Sequence, residues 1–377
     1  MQIFIFVFLI AVGIQLVYLF LFFIAFLRDR SDANVEPVPV SIVVCAHDEA
    51  DNLKVLIPAL LSQDYPEFEV IVVNDRSNDG TFDYLLEETE KHSRLRMVNV
   101  KTTPERVNGK KYGITLGIKA ASYEWIVLTD ADCRPRSANW VRSLSRHFDD
   151  NAQFVLGFSP YLRQPGFLNL FIRFETIITA IQYFAFGWMK NPYMGVGRNL
   201  AYRKSLFLDR KGFNNFLHVT GGDDDLFVNI HARGKNTRLE MTPDSQVDSV
   251  PCSTWRSFYQ QKVRHLSVGK RYRFIHRLLL GLFGLTWIIT WLAWMVLLVL
   301  ILAPAGVDAF RDLEIYLVTV PFVLRCILLI LLVREMLRKA SLDFALWTLP
   351  ILDFIYAIYY LSTGLVALTT KKIRWRS

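Results

Sequence analysis

Four short clusters of the sequence, at residues 46–49, 74–81, 129–132 and 221–226, each contain at least two acidic side chains. The first three clusters each follow an apolar run that predicts a buried strand, and the fourth begins with a glycine pair. Carboxylates at such positions can accept hydrogen bonds from a nucleotide base or a ribose, hold a cation, or remove a proton. The sequence therefore predicts several loops that contribute acids to one ligand-binding site.

Asp130 and Asp132 form an Asp-x-Asp pair directly after an apolar run. Divalent cations prefer hard oxygen ligands, and Mg²⁺ often takes only one or two carboxylates from the protein. A cation held there would neutralise charge that develops on a departing diphosphate. An isolated Asp-x-Asp is common in turns, but its position after a predicted strand favours a Mg²⁺ or Mn²⁺ site.

The fourth cluster contains three consecutive carboxylates, Asp223, Asp224 and Asp225, after Gly221 and Gly222. Like charges at this spacing repel one another, so we expect the pKa of the catalytic carboxyl to be raised toward a value that suits a general base. Such a base would deprotonate an acceptor hydroxyl opposite the departing diphosphate. The simpler interpretation is that one of these acids caps the N-terminus of a helix.

Gln261 and Arg264 lie three residues apart and share one face of a predicted helix. An arginine there could bind a diphosphate through two parallel hydrogen bonds. Basic residues close by, such as Lys262 and Lys270, are explained by contact with anionic lipid at a membrane surface. That interpretation does not account for Gln261.

Short helical patterns alternate with apolar runs of strand length between residues 40 and 130. We predict strands at residues 40–46, 68–74, 95–100 and 124–129, and helices at residues 50–61, 81–92 and 110–121. Strands rich in Val and Ile between helices predict a mostly parallel α/β sheet that is covered on both faces. Ligands in such sheets bind beyond the C-terminal ends of the strands. We interpret Asp79-Gly80 as a simple turn.

Two parts of the chain predict membrane segments. Residues 1–27 carry no charge and precede Arg28 and Arg30, which indicates an uncleaved transmembrane anchor whose basic end lies in the cytosol. A C-terminal membrane region is expected at residues 277–370, with spans at residues 278–302, 313–333 and 342–368. Three full crossings would place the basic tail outside, against the positive-inside rule, whereas a re-entrant hairpin at Pro350 would not.

Residues 166–189 form another apolar stretch, but this one contains Arg173 and Glu175. A transmembrane span here would separate acidic clusters that we assign to one site. We therefore expect an interfacial helix with its apolar face toward lipid or acceptor. A buried core helix is the alternative.

The formal net charge is +8, which we attribute to surface solvation and to the cytosolic face of a membrane. No basic stripe with interleaved aromatic residues indicates a nucleic-acid partner. The four cysteines are scattered singly, which argues against a disulfide framework and suits a reducing compartment.

In their order along the chain, these motifs resemble those of the family 2 glycosyltransferases, which combine a GT-A catalytic fold with membrane-embedded helices. The resemblance covers roughly residues 38–272. It implies a GT-A domain at residues 38–276, a Rossmann-like α/β fold with a mostly parallel sheet, between N-terminal and C-terminal transmembrane helices.

The resemblance also implies roles for individual residues on the donor side. CAHDEADNL matches the family's first nucleoside-binding segment, and NDRSNDGT matches the segment whose acid contacts the base. Gly109-Lys110 matches a diphosphate contact, and in DAD Asp132 is the expected metal ligand. The residues assigned to the donor are Ala46, Asp48, Glu49, Asp75, Lys110, Asp130, Gln261 and Arg264.

On the acceptor side, GVGRNLAYRK resembles a glycine-containing loop of the family and makes Arg198 and Asn199 candidate contacts. GDDDL matches the motif that carries the base and assigns this role to Asp223, with Asp224 as the alternative. QKVRH places His265 where relatives that form polymers carry a tryptophan that stacks on the acceptor sugar.

These correspondences imply an inverting glycosyltransferase that moves one sugar from a nucleotide-diphosphate donor, expected to be a UDP-sugar, to a membrane-associated lipid acceptor. A processive polysaccharide synthase is an alternative, although His265 and the small number of spans count against it. A non-catalytic nucleotide-sugar-binding membrane subunit is another. We expect an integral protein of a bacterial-type inner membrane, with the catalytic domain in the cytosol.

Overall fold

The computed structural model describes residues 2–28, 35–105, 107–302 and 311–369. Met1, Arg30 and residue 370, which belong to segments predicted above, lie outside the described residues, as do residues 303–310. The strands are β1 (Val40–Ala46), β2 (Phe68–Asp75), β3 (Leu95–Val100), β4 (Trp125–Asp130), β5 (Cys133–Pro135), β6 (Phe154–Gly157), β7 (Leu200–Arg203), β8 (Thr237–Glu240) and β9 (Val247–Ser249). The helices are α1 (Gln2–Leu27), α2 (Ala50–Leu61), α3 (Thr81–Lys91), α4 (Gly109–Ala120), α5 (Trp140–Ser145), α6 (Phe167–Trp188), α7 (Lys204–Asp209), α8 (Asp225–His231), α9 (Trp255–Val268), α10 (Phe274–Leu302), α11 (Arg311–Ala340) and α12 (Leu349–Thr369).

Seven strands form one sheet in the order β3-β2-β1-β4-β7-β6-β8, and β5 pairs with β9 in a separate sheet. β1 runs parallel to β2 and β4, β2 runs parallel to β3, and β7 is antiparallel to both of its neighbours. The predicted mostly parallel α/β sheet is confirmed. Because β1, β2 and β4 point the same way, the loops that follow them meet at one edge.

Helices cover both faces of the sheet, which explains why the central strands read as continuous apolar runs. Alternate residues of β1 point to opposite faces, so that Ile42 and Val44 join one core and Val43 joins the other. The helix α4 approaches β1 closely because Gly117 has no side chain: a Cβ there would lie 2.6 Å from Val43. This packing fixes the N-terminus of α4 beside the ends of β1 and β2.

Five helices are long and apolar enough to cross a membrane, judged by length and composition: α1, α6, α10, α11 and α12. The helix α1 packs against α10 and α11. Gln15 of α1 donates hydrogen bonds of 2.8 Å to the Phe283 carbonyl and to the Thr286 hydroxyl of α10. In the same bundle, Arg325 of α11 forms an ion pair with Asp353 of α12, and both side chains are buried.

The expectation of an interfacial helix at residues 166–189 is not supported. Most side chains of α6 are buried, and the helix packs against α1, α11, α12 and β8. A helix enclosed in this way has no broad apolar face left for lipid, so the buried-helix alternative describes it better. Its Glu175 is also buried and forms an ion pair with Lys262 of α9.

Pro350 does not interrupt the last apolar segment. It lies in the first turn of α12, where a proline removes no helical hydrogen bond, and the helix continues unbroken from there. The hairpin that we considered at Pro350 is therefore absent from the described part of this segment.

Candidate active site

The end of β4, the N-terminus of α4, the loop before α8 and the helix α9 border a cavity of about 490 Å³. This cavity brings together acids and cations that lie far apart in the sequence. The predicted site residues that line it are Lys110, Asp130, Asp132, Arg198, Asp223, Asp224, Gln261, Arg264 and His265.

Lys110 joins two of the acidic clusters. Its ammonium lies 2.8 Å from the Asp130 carboxylate and 3.3 Å from that of Asp223. Burial alone would lower the pKa of Lys110, but the two carboxylates outweigh it and raise the pKa well above the usual value. Lys110 is therefore a fixed positive charge between the end of β4 and the loop before α8.

The negative charge of Asp132 is only partly balanced by neighbouring cations. Burial raises its pKa, repulsion from Asp130 raises it further, and Arg198 and Lys110 oppose the shift only in part. A divalent cation between Asp130 and Asp132 would relieve this repulsion, so the residues fit such an ion. Among the residues that the structure describes, no group of three or more His, Cys, Asp or Glu could hold a metal. Oxygen atoms of a bound diphosphate would have to complete the coordination.

The three consecutive acids have different environments. Burial would raise the pKa of Asp223, yet Lys110 and Lys111 hold it below its usual value. Burial and repulsion from its neighbours raise the pKa of Asp224, and they raise that of Asp225 to about 8. Our expectation that charge crowding would raise the pKa of Asp223 was wrong, because sequence spacing did not reveal two lysines beside it.

Asp224 accepts hydrogen bonds from the backbone around it. Its two oxygens accept hydrogen bonds from the backbone N–H groups of Gly197, at 2.8 Å, and Asp225, at 2.7 Å. Asp224 thus caps α8, as the simpler sequence interpretation allowed for one of the three acids. Asp225 accepts a 2.7 Å hydrogen bond from the Tyr272 hydroxyl. Of the three acids, only Asp223 is paired with a cation that borders the cavity.

Lys111 is a site residue that the sequence analysis missed. It is fully buried, and its ammonium donates to the carbonyls of Phe216 at 3.1 Å, Gly221 at 2.5 Å and Val219. These carbonyls belong to residues 216–221, the segment that precedes Asp223 in the chain. A second lysine after Gly109, on a helix that packs against the sheet, is the signal that could have identified it.

The predicted nucleoside contacts lie at the same sheet edge but do not line the cavity. Ala46 pairs in register with Asn74, next to Asp75. Asp48 accepts a 2.6 Å hydrogen bond from the Asn78 backbone, which joins the loops after β1 and β2. Glu49 belongs to the same electrostatic environment: burial raises its pKa, and repulsion from Asp132 and Asp130 adds to the shift.

Asp75 lies against the N-terminus of α4. A Cβ on Gly109 would come within 2.7 Å of the Asp75 carboxylate, so only glycine allows this approach. Arg76 donates hydrogen bonds of 2.8 and 3.1 Å to the same carboxylate. Asp75 is therefore adjacent to the residue that precedes Lys110.

Asp79 and Gly80 form the turn before α3, where Gly80 has a φ of 89°. The Asp79 carboxylate accepts 3.0 Å hydrogen bonds from the backbone N–H groups of Ala50 and Thr81. It therefore ties the first turns of α2 and α3 together. These bonds, with one from the Thr81 hydroxyl, outweigh burial and lower the pKa of Asp79.

Asn199, a predicted acceptor-side residue, does not line the cavity. Its side chain is fully buried and bonds to the carbonyls of Phe158 and Ser245 and to the Trp140 indole N–H. All of these partners are structural, so Asn199 secures the loop that carries Arg198. The Arg198 guanidinium does border the cavity and lies 4.4 Å from the centre of the Tyr161 ring.

Residues 41–209 match the family model described as "Glycosyl transferase family 2". The chain carries a family 2 glycosyltransferase domain. The mostly parallel α/β sheet matches the GT-A fold of this enzyme family, as the sequence resemblance implied.

Curated relatives of the glycosyltransferase domain have related names. The probable glycosyltransferase YdaM of Bacillus subtilis is 28% identical over 240 residues, which cover 61% of this chain and 55% of YdaM. A poly-β-1,6-N-acetyl-D-glucosamine synthase of Staphylococcus epidermidis is 31% identical over 93 residues, or 25% of this chain and 21% of the synthase. This chain thus spans about half or less of the length of both proteins.

A further relative is the UDP-Glc:α-D-GlcNAc-diphosphoundecaprenol β-1,3-glucosyltransferase WfaP of Escherichia coli. It is 25% identical over 53% of this chain and 74% of its own length. Among solved structures, the mannosyltransferase PcManGT of Pyrobaculum calidifontis, in complex with GDP-Man and Mn²⁺, superimposes with a TM-score of 0.59. The two chains are 16% identical, with 98% of this one and 99% of the other covered, so this likeness establishes the fold alone.

Proposed function

We propose that this protein transfers a single sugar, with inversion, from a nucleotide-diphosphate donor to a lipid acceptor at the membrane. The observation that carries the proposal is the position of Lys110, whose ammonium contacts both Asp130 and Asp223 within one cavity. A sugar diphosphate bound at Lys110 would lie between an acid pair suited to a cation and a third acid that faces it.

On the donor side, Ala46, Asp48, Glu49 and Asp75 hold the nucleoside, with uridine as the expected base. Asp130 and Asp132 would hold Mg²⁺ or Mn²⁺, and the Mn²⁺ of the Pyrobaculum mannosyltransferase supports a cation of this kind. That ion supplies charge neutralisation for the departing diphosphate. Gln261 and Arg264 of α9 close over the diphosphate, to which an arginine can donate two hydrogen bonds.

On the acceptor side, Asp223 is the general base and Asp224 is a structural cap. Burial alone would raise the pKa of Asp223, but Lys110 and Lys111 outweigh it and hold the pKa low. The carboxylate is therefore ionised and able to accept a proton. A diphosphate at Lys110 would weaken that attraction. The basicity of Asp223 would thus increase when the donor is bound, which is when the acceptor hydroxyl must lose its proton. Arg198 and His265 flank the acceptor.

The lipid acceptor is supported by the walls of the cavity. They continue from the catalytic acids to α10 and α12, which are apolar enough to span a membrane. WfaP, by its name, acts on a diphosphoundecaprenol-linked sugar, which supports a lipid acceptor for this chain too. Arg28, after α1, supports a cytosolic catalytic domain in a bacterial-type inner membrane.

One experiment tests this proposal. Purified full-length protein is incubated with a panel of labelled nucleotide-sugars, Mg²⁺ or Mn²⁺, and a membrane lipid extract. We expect one donor to give a lipid-extractable product that carries one added sugar by mass spectrometry. Absence of both transfer and donor hydrolysis with every nucleotide-sugar would overturn the proposal.

A processive synthase is the second candidate, favoured by the similarity to the Staphylococcus synthase. His265, in the position that the family motif gives to tryptophan, counts against it. The same incubation separates the two functions, because a ladder of long products would identify a synthase.

A further inference from the structure

The active-site cavity extends beyond the catalytic acids into a second compartment between α6, α9, α10 and α12. We call this part the inner compartment. Its lining residues on α6 and α12 are Glu175, Thr176, Thr179, Gln182, Tyr183, Tyr356, Tyr359, Tyr360, Gly364 and Ala367. The proposed transfer reaction assigns no role to these side chains.

The α6 wall of the inner compartment is polar. Glu175, Thr179 and Gln182 are spaced by four and three residues and therefore lie on one face of an otherwise apolar helix. Glu175 forms an ion pair with Lys262 of α9, and their side chains are 8% and 11% exposed. The compartment thus presents hydroxyl, amide and carboxylate groups, while the charge of Glu175 is balanced.

The α12 wall consists of tyrosines held by aromatic packing. The Tyr356 ring centre lies 5.3 Å from that of Trp287, and the Tyr359 ring stacks on Phe258 at 5.9 Å. Ring faces and hydroxyls on α12, together with amide and carboxylate groups on α6, suit a ligand with many hydroxyls and apolar C–H faces. An anionic headgroup would instead meet Glu175 as well as Lys262.

We assign the opening of the inner compartment to two glycines, one on α10 and one on α12. Gly281 and Gly364 both line the cavity, and a Cβ added to either would meet no atom within 4 Å. One turn further along α10 the wall is closed, because a Cβ on Gly284 would lie 2.4 Å from the Tyr360 ring. The opening therefore lies between two helices that are apolar enough to contact lipid.

We propose that the acceptor is a glycolipid, whose sugar headgroup binds between the α6 polar face and the α12 tyrosines, and whose hydrocarbon chain leaves between Gly281 and Gly364. This inference rests on the proposed function and adds the class of acceptor to it. It assigns the stripe of Glu175, Thr179 and Gln182 to headgroup binding. Glycine at positions 281 and 364 leaves room for the hydrocarbon chain to pass.

For each sugar in a panel, the test compares two acceptors, the methyl glycoside and the dodecyl glycoside of that sugar. The variants Gly281→Leu and Gly364→Leu place a side chain at the assigned opening, where its Cβ would meet no atom within 4 Å. Gly13→Leu is the matched control, since a Cβ there also meets no atom within 4 Å but Gly13 does not line the cavity. All three replace a helical glycine, so folding should be preserved.

We expect the wild type to use the dodecyl glycoside better than the methyl glycoside. Gly281→Leu and Gly364→Leu should lower kcat/KM about tenfold for the dodecyl glycoside and leave it unchanged for the methyl glycoside. Gly13→Leu should change neither value. Gln182→Leu should raise KM for both glycosides.

Equal losses on both glycosides, or no loss on either, would overturn the assigned opening. Transfer to a polyprenyl phosphate but to no glycoside would overturn the sugar headgroup, although the proposed transferase function would stand. Hydrolysis of the nucleotide-sugar distinguishes failure of the proposed function from failure of the glycolipid inference alone. If the wild type neither hydrolyses nor transfers any nucleotide-sugar, the proposed function fails and this inference fails with it.

Discussion

Lys110 and Asp223 lie 3.3 Å apart, although one stands at the start of a helix on the sheet and the other precedes a helix more than a hundred residues later. The same ammonium also contacts Asp130, at 2.8 Å. The donor-side and acceptor-side acids therefore share one counter-ion, and a ligand that binds Lys110 changes the electrostatic environment of both.

Replacement of Asp132 by Ala should abolish cation binding together with turnover. Asp132 and Asp130 are the carboxylates suited to the cation, and removal of one leaves too few protein ligands for an ion that also binds the donor. Mn²⁺ electron paramagnetic resonance in the presence of a nucleoside diphosphate reports binding without catalysis. Asp51→Ala, at an exposed surface position, is the control. Unchanged Mn²⁺ binding by Asp132→Ala would refute the ligand assignment.

Lys111→Met should destabilise the domain and slow transfer. The variant leaves the carbonyls of Phe216, Val219 and Gly221 without their buried donor, at a cost of about 1–3 kcal/mol for each unsatisfied group. Thermal unfolding should show a lower Tm. Turnover should fall because the segment before Asp223 is no longer held.

Lys110→Met is the matched control for that experiment, since it changes the adjacent lysine in the same way. We expect both variants to lower Tm, Lys110→Met because it leaves Asp130 and Asp223 without their shared cation. Only Lys110→Met should also weaken binding of the nucleotide-sugar by the folded protein. A wild-type Tm for Lys111→Met would rule out the anchoring role.

Stability should decrease as pH rises from about 4 to about 8, in part because of Asp225. Burial and repulsion from Asp224 raise its pKa from the ordinary value of 3.8 to about 8 in the folded state. Between these two values the folded protein binds more protons than the unfolded chain, so the free energy of unfolding falls with increasing pH.

The variant Asp225→Asn should flatten this dependence, because it removes the titrating group and keeps an acceptor for the Tyr272 hydroxyl. Tm recorded at several pH values between 5 and 9 provides the measurement, with the exposed Asp150→Asn as control. If Asp225→Asn has the same pH dependence as the wild type, the assignment to Asp225 is wrong.

The ion pair of Arg325 and Asp353 should show strong coupling in a double-mutant cycle. Both side chains are buried, and the guanidinium lies 4.4 Å from the centre of the Trp287 ring. Removal of one partner leaves an uncompensated buried charge, which costs about 3–5 kcal/mol. Arg325→Met and Asp353→Leu should each lower Tm in detergent more than the double variant does. Additive losses would show that the two residues do not depend on each other.

The sequence allowed the central sheet to be predicted because its strands are buried on both faces and separated by helices. That pattern does not predict β6, β7 and β8, because each of them has only four residues and β7 is antiparallel to its neighbours. The acidic clusters after β1, β2 and β4 could be assigned to one edge for the same topological reason.

Other features of the site depend on contacts that spacing does not encode. Asn199 has the residue type of a ligand contact, yet it is saturated by partners from three other segments. The pKa of Asp223 is set by lysines more than a hundred residues earlier in the chain. The ion pair of Glu175 with Lys262 of α9 could not be predicted either, because a contact between helices far apart in the chain leaves no local sequence pattern.

The most direct test of the central claim compares Asp223→Asn with the wild type in two measurements, sugar transfer and nucleotide-sugar binding. Loss of the base should reduce kcat by about 10²–10⁴-fold, with the dissociation constant for the donor nearly unchanged. Asp223→Asn protein that still transfers sugar at the wild-type rate would contradict the account, since Asp223 could then not be the group that activates the acceptor.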